Sequence, residues 1–279
     1  MNRNLIKFFL KIIFCILSCF ILISCSKSQE ELQIDVIDVG QGDSILIKTP
    51  DNKSLLVDSG EEDFARNVIR DLKINKIKKL DYLLLTHSDS DHSGGASKLL
   101  DEIKAKTILL SKEEKLSPIT ENILKKSMDF NINIEYLKSD DNINIGNYVN
   151  VYILSPSKIS SDPNKDSIVF LMSYDKYSFV FTGDADCEIE KDILNKYSLT
   201  HCNFLKVGHH GSKTSSSEEF ISLLSPDIAV ISCGYKNRYG HPNEETIAKL
   251  QECNSKIYRT DEYSNISFYF NKEGIFISK

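Results

Sequence analysis

Thr86-His87-Ser88-Asp89-Ser90-Asp91-His92-Ser93-Gly94-Gly95 follows directly on an apolar strand candidate, Asp81 to Leu85. A strand that ends in a turn carrying two imidazoles and two carboxylates fans four metal-capable side chains around one point. Nitrogen from His87 and His92 with hard oxygen from Asp89 and Asp91 suits zinc, manganese or iron, and is a poor match to a structural tetrathiolate site. A lone loop histidine needs no metal to explain it, and aspartate is a common turn former. Two of each in one short run, followed by a glycine pair that lets the chain turn tightly into a helix, point to a metalloenzyme.

Working outward, the chain opens on Arg3, Lys7 and Lys11, then an apolar stretch from Ile12 to Ile23, then Ser24-Cys25. The apolar run is short for a bilayer span and has the layout of an export signal. Leu22-Ile23-Ser24-Cys25 resembles the bacterial lipobox, which implies a signal peptide over residues 1–24, a lipid on Cys25 and a location on the extracytoplasmic face of the cell membrane. Residues 25–31 read as the lipidated terminus and a short polar tether, and residues 32–279 as one α/β domain large enough for a substantial core. Cys187, Cys202, Cys233 and Cys253 lie within it without a Cys-x-x-Cys pair, so a zinc knuckle is not expected, and two disulfides stay arithmetically open. The net charge of -6 means that any nucleic-acid role must rest on a local basic patch rather than the whole-molecule field.

Leu32 to Val39, Ser44 to Lys48 and Ser54 to Val57 read as an antiparallel meander, separated by Gly40-Gln41-Gly42-Asp43 and Pro50-Asp51-Asn52. Asp63 to Leu72 has helical spacing, and Tyr82 to Thr86 delivers the metal run, with a helix predicted from about Gly95. Later strands are predicted at Thr107 to Leu110, Val149 to Leu154, Ile168 to Ser173, Ser178 to Thr182, Asn203 to Val207 and Ile228 to Ser232. Helices are predicted at Glu188 to Lys196, Ser217 to Leu224 and Asn243 to Glu252. Two strand-rich halves, each followed by helices, predict two packed sheets with helices outside.

Two more clusters sit at strand ends, Gly183-Asp184-Ala185-Asp186 and Gly208-His209-His210-Gly211-Ser212. The order His-x-Asp-x-Asp-His, Gly-Asp-Ala, Gly-His-His-Gly-Ser resembles the metallo-β-lactamase fold superfamily. Asp38 to Asp43, Leu56-Val57-Asp58-Ser59-Gly60, Lys206 to Ser217 and Asn237 to Pro242 are similar to the hydrolase domain of ComEC-type competence proteins, over roughly Ile34 to the C-terminus and without their membrane channel. The resemblance implies an αββα four-layer sandwich with a dinuclear site of Zn2+ or Mn2+ at the top edge of the sheets. By motif, His87 and Asp89 would hold one metal and Asp91 and His92 the other. Asp184 would bridge them, one of His209 and His210 would complete the second site, and Asp58 would orient the metal loop by hydrogen bonds. The common superfamily motif has His where Asp89 stands, and no histidine lies between Leu100 and Phe179. Asn164-Lys165-Asp166-Ser167 resembles the polar turn that relatives carry there, so the first site is expected to be oxygen-rich.

The chemistry so implied is hydrolysis of a phosphodiester by a hydroxide held between two cations, with Asp91, Asp184 and His241 assigned to the reaction itself. Ser212, Lys213, Thr214, Ser215 and His241 are the expected substrate contacts, and DNA or its fragments the expected substrate. Lys206, Lys213, Lys236, Arg238 and Arg259 are the candidate phosphate-binding cations. Two competing expectations are a hydrolase of a cell-wall phosphodiester or other small ester, and a metal-stabilised binding protein without catalysis.

Overall fold

The computed structural model describes residues 30–279; the expectations for residues 1–24, for Cys25 and for most of the tether lie outside the described residues. Among those described, the strands form two sheets. The first sheet contains β1 (Leu32–Val36), β2 (Ile45–Lys48), β3 (Ser54–Val57), β4 (Lys79–Leu85), β5 (Lys104–Leu110) and β6 (Asn133–Tyr136), and the last two strands of the chain, β14 (Ile266–Asn271) and β15 (Gly274–Ser278), join it beside β1. The second contains β7 (Asn142–Ile145), β8 (Val149–Ser155), β9 (Val169–Tyr174), β10 (Tyr177–Phe181), β11 (Phe204–Lys206), β12 (Ile228–Ile231) and β13 (Lys256–Arg259).

Each sheet is half meander and half crossover. β1, β2 and β3 pair antiparallel, then β3, β4, β5 and β6 run parallel. In the second sheet β7 to β10 are antiparallel and β10 to β13 parallel. Parallel neighbours need long connections, and helices supply them: α1 (Ala65–Ile74), α2 (Ser90–Ser93), α3 (Ala96–Glu102) and α4 (Pro118–Phe130) over the first sheet, α5 (Cys187–Lys196), α6 (Glu218–Leu224) and α7 (Glu244–Glu252) over the second, with a single turn, α8 (Thr260–Tyr263), after β13.

Burial divides the apolar residues into three cores, which makes the four layers. Between the sheets lie Ile34, Ile47, Val57, Ile153, Phe170, Phe179, Phe181, Phe204, Phe268 and Phe270. Their rings interlock, with Phe170 and Phe181 stacked at 4.6 Å and Phe179 edge-on to Phe270 at 4.7 Å. Each such side chain contributes about 1.5–3 kcal/mol by leaving water. Val68, Leu72, Leu99 and Ile123 cover the outer face of the first sheet, and Ile189, Ile193, Phe220 and Leu250 that of the second. This is the αββα sandwich.

Boundaries moved where backbone hydrogen bonds overrode the apolar pattern. β1 stops at Val36 rather than Val39. The helix expected near Gly95 begins earlier: His92 and Ser93 donate N–H to the Asp89 carbonyl and Gly94 to that of Ser90, closing α2 within the metal run before α3 starts at Ala96. α4 was absent from the sequence reading although its start signal is legible. Ser117 accepts from the Thr120 N–H, and Pro118 occupies the first turn.

Candidate metal centre

The catalytic end of such a sheet pair is where the parallel strands finish, and β3, β4, β10, β11 and β12 all finish together here. Gly42 lets the entry loop in: it adopts φ +143, and a Cβ would stand 2.3 Å from the Asp91 carbonyl oxygen. That carbonyl accepts the Asp43 N–H at 3.1 Å, so the glycine allows Asp43 to be stitched to the metal run. Gly95 acts differently from the turn expected of it. Its φ of −74 is ordinary, but a Cβ would lie 2.5 Å from the Ser59 carbonyl oxygen, so the residue serves close approach of two backbones.

Asp58 closes β3 and is buried. One carboxylate oxygen accepts the Thr86 N–H at 2.7 Å; the other accepts the Thr86 hydroxyl at 2.8 Å and lies 2.8 Å from His92 Nδ1. With Nδ1 engaged by a carboxylate, His92 presents Nε2 inward. His210 is held the same way, its Nδ1 3.0 Å from the Ser232 carbonyl oxygen. The two Nε2 atoms end 3.3 Å apart. His92 Nε2 stands 3.2 Å from Asp184 Oδ1, while His210 Nε2 is 3.6 Å from Asp184 Oδ2 and 3.3 Å from Asp91 Oδ2. One ligand atom from each of Asp43, His92, Asp184 and His210 falls within 4.8 Å of all the others.

The pair left open in the sequence is thereby distinguished. His210 is buried inside the cluster; His209 stands at its rim, part-exposed, with Nε2 3.6 Å from Asp184 Oδ2. His87 packs its ring against His92 at 4.2 Å, and its Nε2 is 3.8 Å from Asp89 Oδ2. His87 Nδ1 lies near the Thr86 and Ser167 hydroxyls at 3.0 and 3.4 Å, and Ser167 also accepts the Asp184 N–H. Ser167 therefore connects the polar turn to both sides of the site.

Sequence reasoning missed Asp43. It is buried, with Oδ2 2.6 Å from Lys206 Nζ and Oδ1 3.5 Å from His210 Nδ1. Its signal was an acidic residue directly after a Gly-x-Gly turn at a strand entrance, which carried the family likeness but received no role.

Burial opposes every charge in this cluster, and neighbours decide the outcome. Burial pushes the His87 imidazole down to about 3, with His92 adding to the effect. For His210 burial acts downward too, but Asp184, Asp43 and Asp91 outweigh it and raise the imidazole to about 9. Burial acts upward on Asp184, yet His92 and His210 hold it well below the ordinary carboxylate range; Lys206 and His210 do the same for Asp43. Asp184 and Asp43 thus favour the ionised form beside positive charge, while burial raises Asp58 and Asp89.

Whether the residues suit divalent cations is decided by what they leave unpaired. His87 Nε2, Asp184 Oδ1 and Asp43 Oδ1 are buried and have no hydrogen-bond partner. An unpaired buried acceptor is costly, and these three belong to one imidazole–carboxylate nest. A cation would satisfy the first two directly, with His92, His210, Asp91 and Asp89 beside them. The donor set fits a borderline or hard divalent metal.

The proposed substrate contacts separate. Lys213 and Thr214 are exposed, but Ser215 is buried with its hydroxyl donating to the Gly208 and Ser212 carbonyls. Ser212 is also buried, its hydroxyl 3.0 Å from that of Thr214. Ser215 is a brace for the His-His loop rather than a phosphate contact, because its hydroxyl faces inward. Lys206 corrects another expectation: it is buried against Asp43 and cannot reach a phosphate. Arg259 is engaged by Asp261 and Glu262. His241, far away in sequence, arrives at the site with its ring 5.8 Å from His209 and 6.5 Å from His210. Cys187, Cys202, Cys233 and Cys253 are free thiols, and Asp186 caps α5 by accepting from the Glu188 and Ile189 N–H groups. On the far side, a cavity of about 440 Å³ opens beside His87 and is lined by Glu113, Glu114, Lys115 and Asp166 among others. Burial pushes Asp166 up to about 6, with Glu113, Asp162 and Glu114 adding to the rise.

The metallo-beta-lactamase superfamily profile matches residues 37–235. The chain is 34% identical to ComE operon protein 3 of Bacillus subtilis over 94% of its own length and 36% of that protein's. It is 30% identical to competence protein ComA of Neisseria gonorrhoeae and 31% to recombination protein 2 of Haemophilus influenzae, over 88% of the chain in both cases and 33% and 30% of those proteins. The chain thus spans about a third of the length of these relatives. Among solved structures, Tm1679, a metal-dependent hydrolase of the beta-lactamase superfamily, aligns with TM-score 0.54 at 17% identity over 82% of this chain and 95% of its own. CmlA, a diiron beta-hydroxylase from Streptomyces venezuelae, aligns with TM-score 0.56 at 12% identity over 87% and 54%. Both share the fold. With the sandwich and the buried Asp/His cluster in place, the chain belongs to the metallo-β-lactamase superfamily, as a domain like that of the ComEC-type competence proteins.

Proposed function

We propose that the protein is a metal-dependent phosphodiesterase acting on DNA or its fragments. The observation that carries this reading is the buried His92–Asp184–His210 nest with its unpaired acceptors, in a chain similar over nearly all its length to a competence operon protein. His87 and Asp89 would hold one cation, and His92, His210 and Asp91 a second, with Asp184 between. When bound, such cations act as Lewis acids toward a phosphoryl oxygen and acidify water. Asp58 and the Ser232 carbonyl keep the imidazoles of His92 and His210 oriented for this. Asp43, paired with Lys206, adds fixed negative potential behind His210. His241 has Nδ1 3.4 Å from the Gln41 amide nitrogen, which leaves Nε2 to hold or deliver a proton at the leaving oxygen. Exposed Lys213 stands where it can meet a substrate phosphate.

A second reading is favoured by one feature. The acidic lining of the cavity beside His87 repels a second phosphate and suits a hydroxyl-rich or cationic group, as in a cell-wall phosphodiester or small ester. Metal content and turnover of residues 26–279 on model phosphodiesters, DNA, RNA and a β-lactam separate the readings. DNA turnover that disappears with chelator and returns with Zn2+ or Mn2+ is expected; turnover of small esters with inert DNA overturns the nuclease assignment.

We place the protein on the outer face of the cell membrane, held by lipid at Cys25, on the strength of Leu22-Ile23-Ser24-Cys25. Cys25→Ala should release or misprocess it, as read by membrane fractionation. Retention with the leader still attached would indicate a transmembrane anchor instead.

A further inference from the structure

Above the His209 and His210 side of the centre, the loop from Gly234 to His241 carries an unusual surface. Tyr235 and Tyr239 are 73% and 54% exposed, among the most solvent-exposed large side chains of the described residues. Tyrosine so displayed loses the benefit of burying its ring. Each ring has a cation beside it, Lys236 Nζ 5.1 Å from the Tyr235 centroid and the Arg238 guanidinium 4.8 Å from that of Tyr239. Arg238 also donates to the Tyr239 hydroxyl at 2.6 Å. Among the described residues neither cation is in an ion pair with a carboxylate.

The loop is built rigid rather than left loose. The Asn237 side chain holds it from within: Oδ1 accepts the N–H groups of Tyr239 and His241 at 3.1 and 3.0 Å, and Nδ2 donates to the carbonyls of Gly234 and His241. Gln41 ties the loop to the entry turn by accepting the Gly234 N–H. The display is therefore pre-organised, and little ordering entropy is lost when something binds it. It also connects to the reaction centre. Tyr239 is near-parallel to His241 at 23° and 5.7 Å, and His241 to buried His210 at 30° and 6.5 Å. Three offset rings step from the centre to the surface.

We propose that Tyr235, Lys236, Arg238 and Tyr239 form a binding lip for a single-stranded polynucleotide, the tyrosines stacking bases and the cations meeting the phosphates between them. This rests on the phosphodiesterase reading and specifies its substrate. A chain of bases and phosphates matches a surface of aromatic rings and cations in kind, and aromatic platforms with basic neighbours are how single strands are held without sequence preference. A duplex keeps its base faces stacked on each other and offers only edges and phosphates, so projecting tyrosine rings have nothing to stack on. In a chain of net charge -6, this lip supplies the local positive field that a polyanion requires.

The test compares binding of a phosphorothioate dodecamer of thymidine, as a single strand and as a duplex with its complement, to the metal-loaded protein and to Tyr235→Ala/Tyr239→Ala, by fluorescence anisotropy at fixed salt. The parent is expected to prefer the single strand. The double variant should lose at least about tenfold in single-strand affinity with a much smaller change on duplex. Tyr235→Phe/Tyr239→Phe, which keeps both rings, should bind like the parent, and a native thermal melt of each variant excludes misfolding. Equal loss on both forms, or unchanged single-strand affinity in the alanine variant, overturns the lip while leaving phosphodiester turnover intact as a finding. If the parent hydrolyses no phosphodiester at all, the functional reading itself fails. A parent that ignores both DNA forms but retains soluble cell-wall polymer through the same tyrosines assigns the lip to a glycan and overturns the proposal.

Discussion

Among the described residues, carboxylates buried at two places in the fold settle in opposite electrostatic states. At the metal centre Asp43 and Asp184 face Lys206, His92 and His210 and are held below the ordinary carboxylate range. Where α1 meets β1, Asp35 and Asp71 are held mainly by neutral donors, with Lys48 and Arg70 as weaker countercharges. Asn75 Nδ2 donates to both, Gln33 to Asp35 and Asn265 to Asp71. There burial raises Asp35, and burial with the neighbouring Asp35 charge pushes Asp71 up to about 6. Neutral donors stabilise a carboxylate geometrically but do not offset its desolvation. Strong countercharge sets Asp43 and Asp184 apart from this polar cluster, whereas Asp58 and Asp89 at the same centre are raised by burial.

The largest expected effect removes the shared carboxylate. Altering outer partners of metal ligands already costs about 10–100-fold in affinity or activity, so Asp184→Asn should exceed that, with loss of metal and rate together in metal-defined buffer. Full activity in that variant would end the dinuclear assignment. Next, the two adjacent histidines should behave differently: His210→Ala should lower metal affinity at least about tenfold by calorimetry, while His209→Ala, at the rim, costs less. In the chelator-stripped protein His210, raised to about 9, lends stability that is complete below its unfolded value near 6.5. That stability is lost as pH climbs through about 9, and because a cation must displace this proton, metal affinity should rise across the same window.

Lys206→Met tests whether countercharge is the deciding term. It removes the strongest countercharge on buried Asp43 and leaves His210, with His92 weaker, at an expected cost of up to about 3–5 kcal/mol by denaturant unfolding. Adding Asp43→Asn should recover much of that loss; no recovery would mean that Lys206 acts through packing alone. The smallest change concerns the other cluster. Because the Asp71 carboxyl titrates near 6 when folded, its favourable contribution is complete below about 3.9 and is lost as pH rises through 6. Asp71→Asn should thus raise the melting temperature slightly at pH 7 and leave it unchanged near pH 4. A variant destabilised at both pH values would show that the ionised carboxylate is needed there after all.

Much of the fold was readable because its signals are local. The strand ahead of His87, the amphipathic pattern of α1 and the caps of α5 to α7 lie within a few residues of one another in the chain. β14 and β15 form a local hairpin whose alternating Ile-Ser-Phe-Tyr-Phe run was overlooked, but their place beside β1 is set by pairing across more than two hundred residues, Leu32 against Phe270 and Val36 against Ile266. At the site the division is the same. Motif order assembled His87, Asp89, Asp91, His92, Asp184, the His-His pair and, through the family likeness, His241, but Asp43 and the burial of Lys206 and Ser215 needed the loops to be seen together.

By itself, then, the sequence determined which atoms can bind a cation, the strands that carry them and the family to which that order belongs, because residue type and local spacing are written in the chain. Only the tertiary structure decided that His210 and not His209 is buried in the nest, that Lys206 serves Asp43 rather than a substrate, and that Tyr239 stacks on His241 beside the centre. Side-chain direction, burial and countercharge arise from neighbours distant in sequence, and no local pattern encodes them.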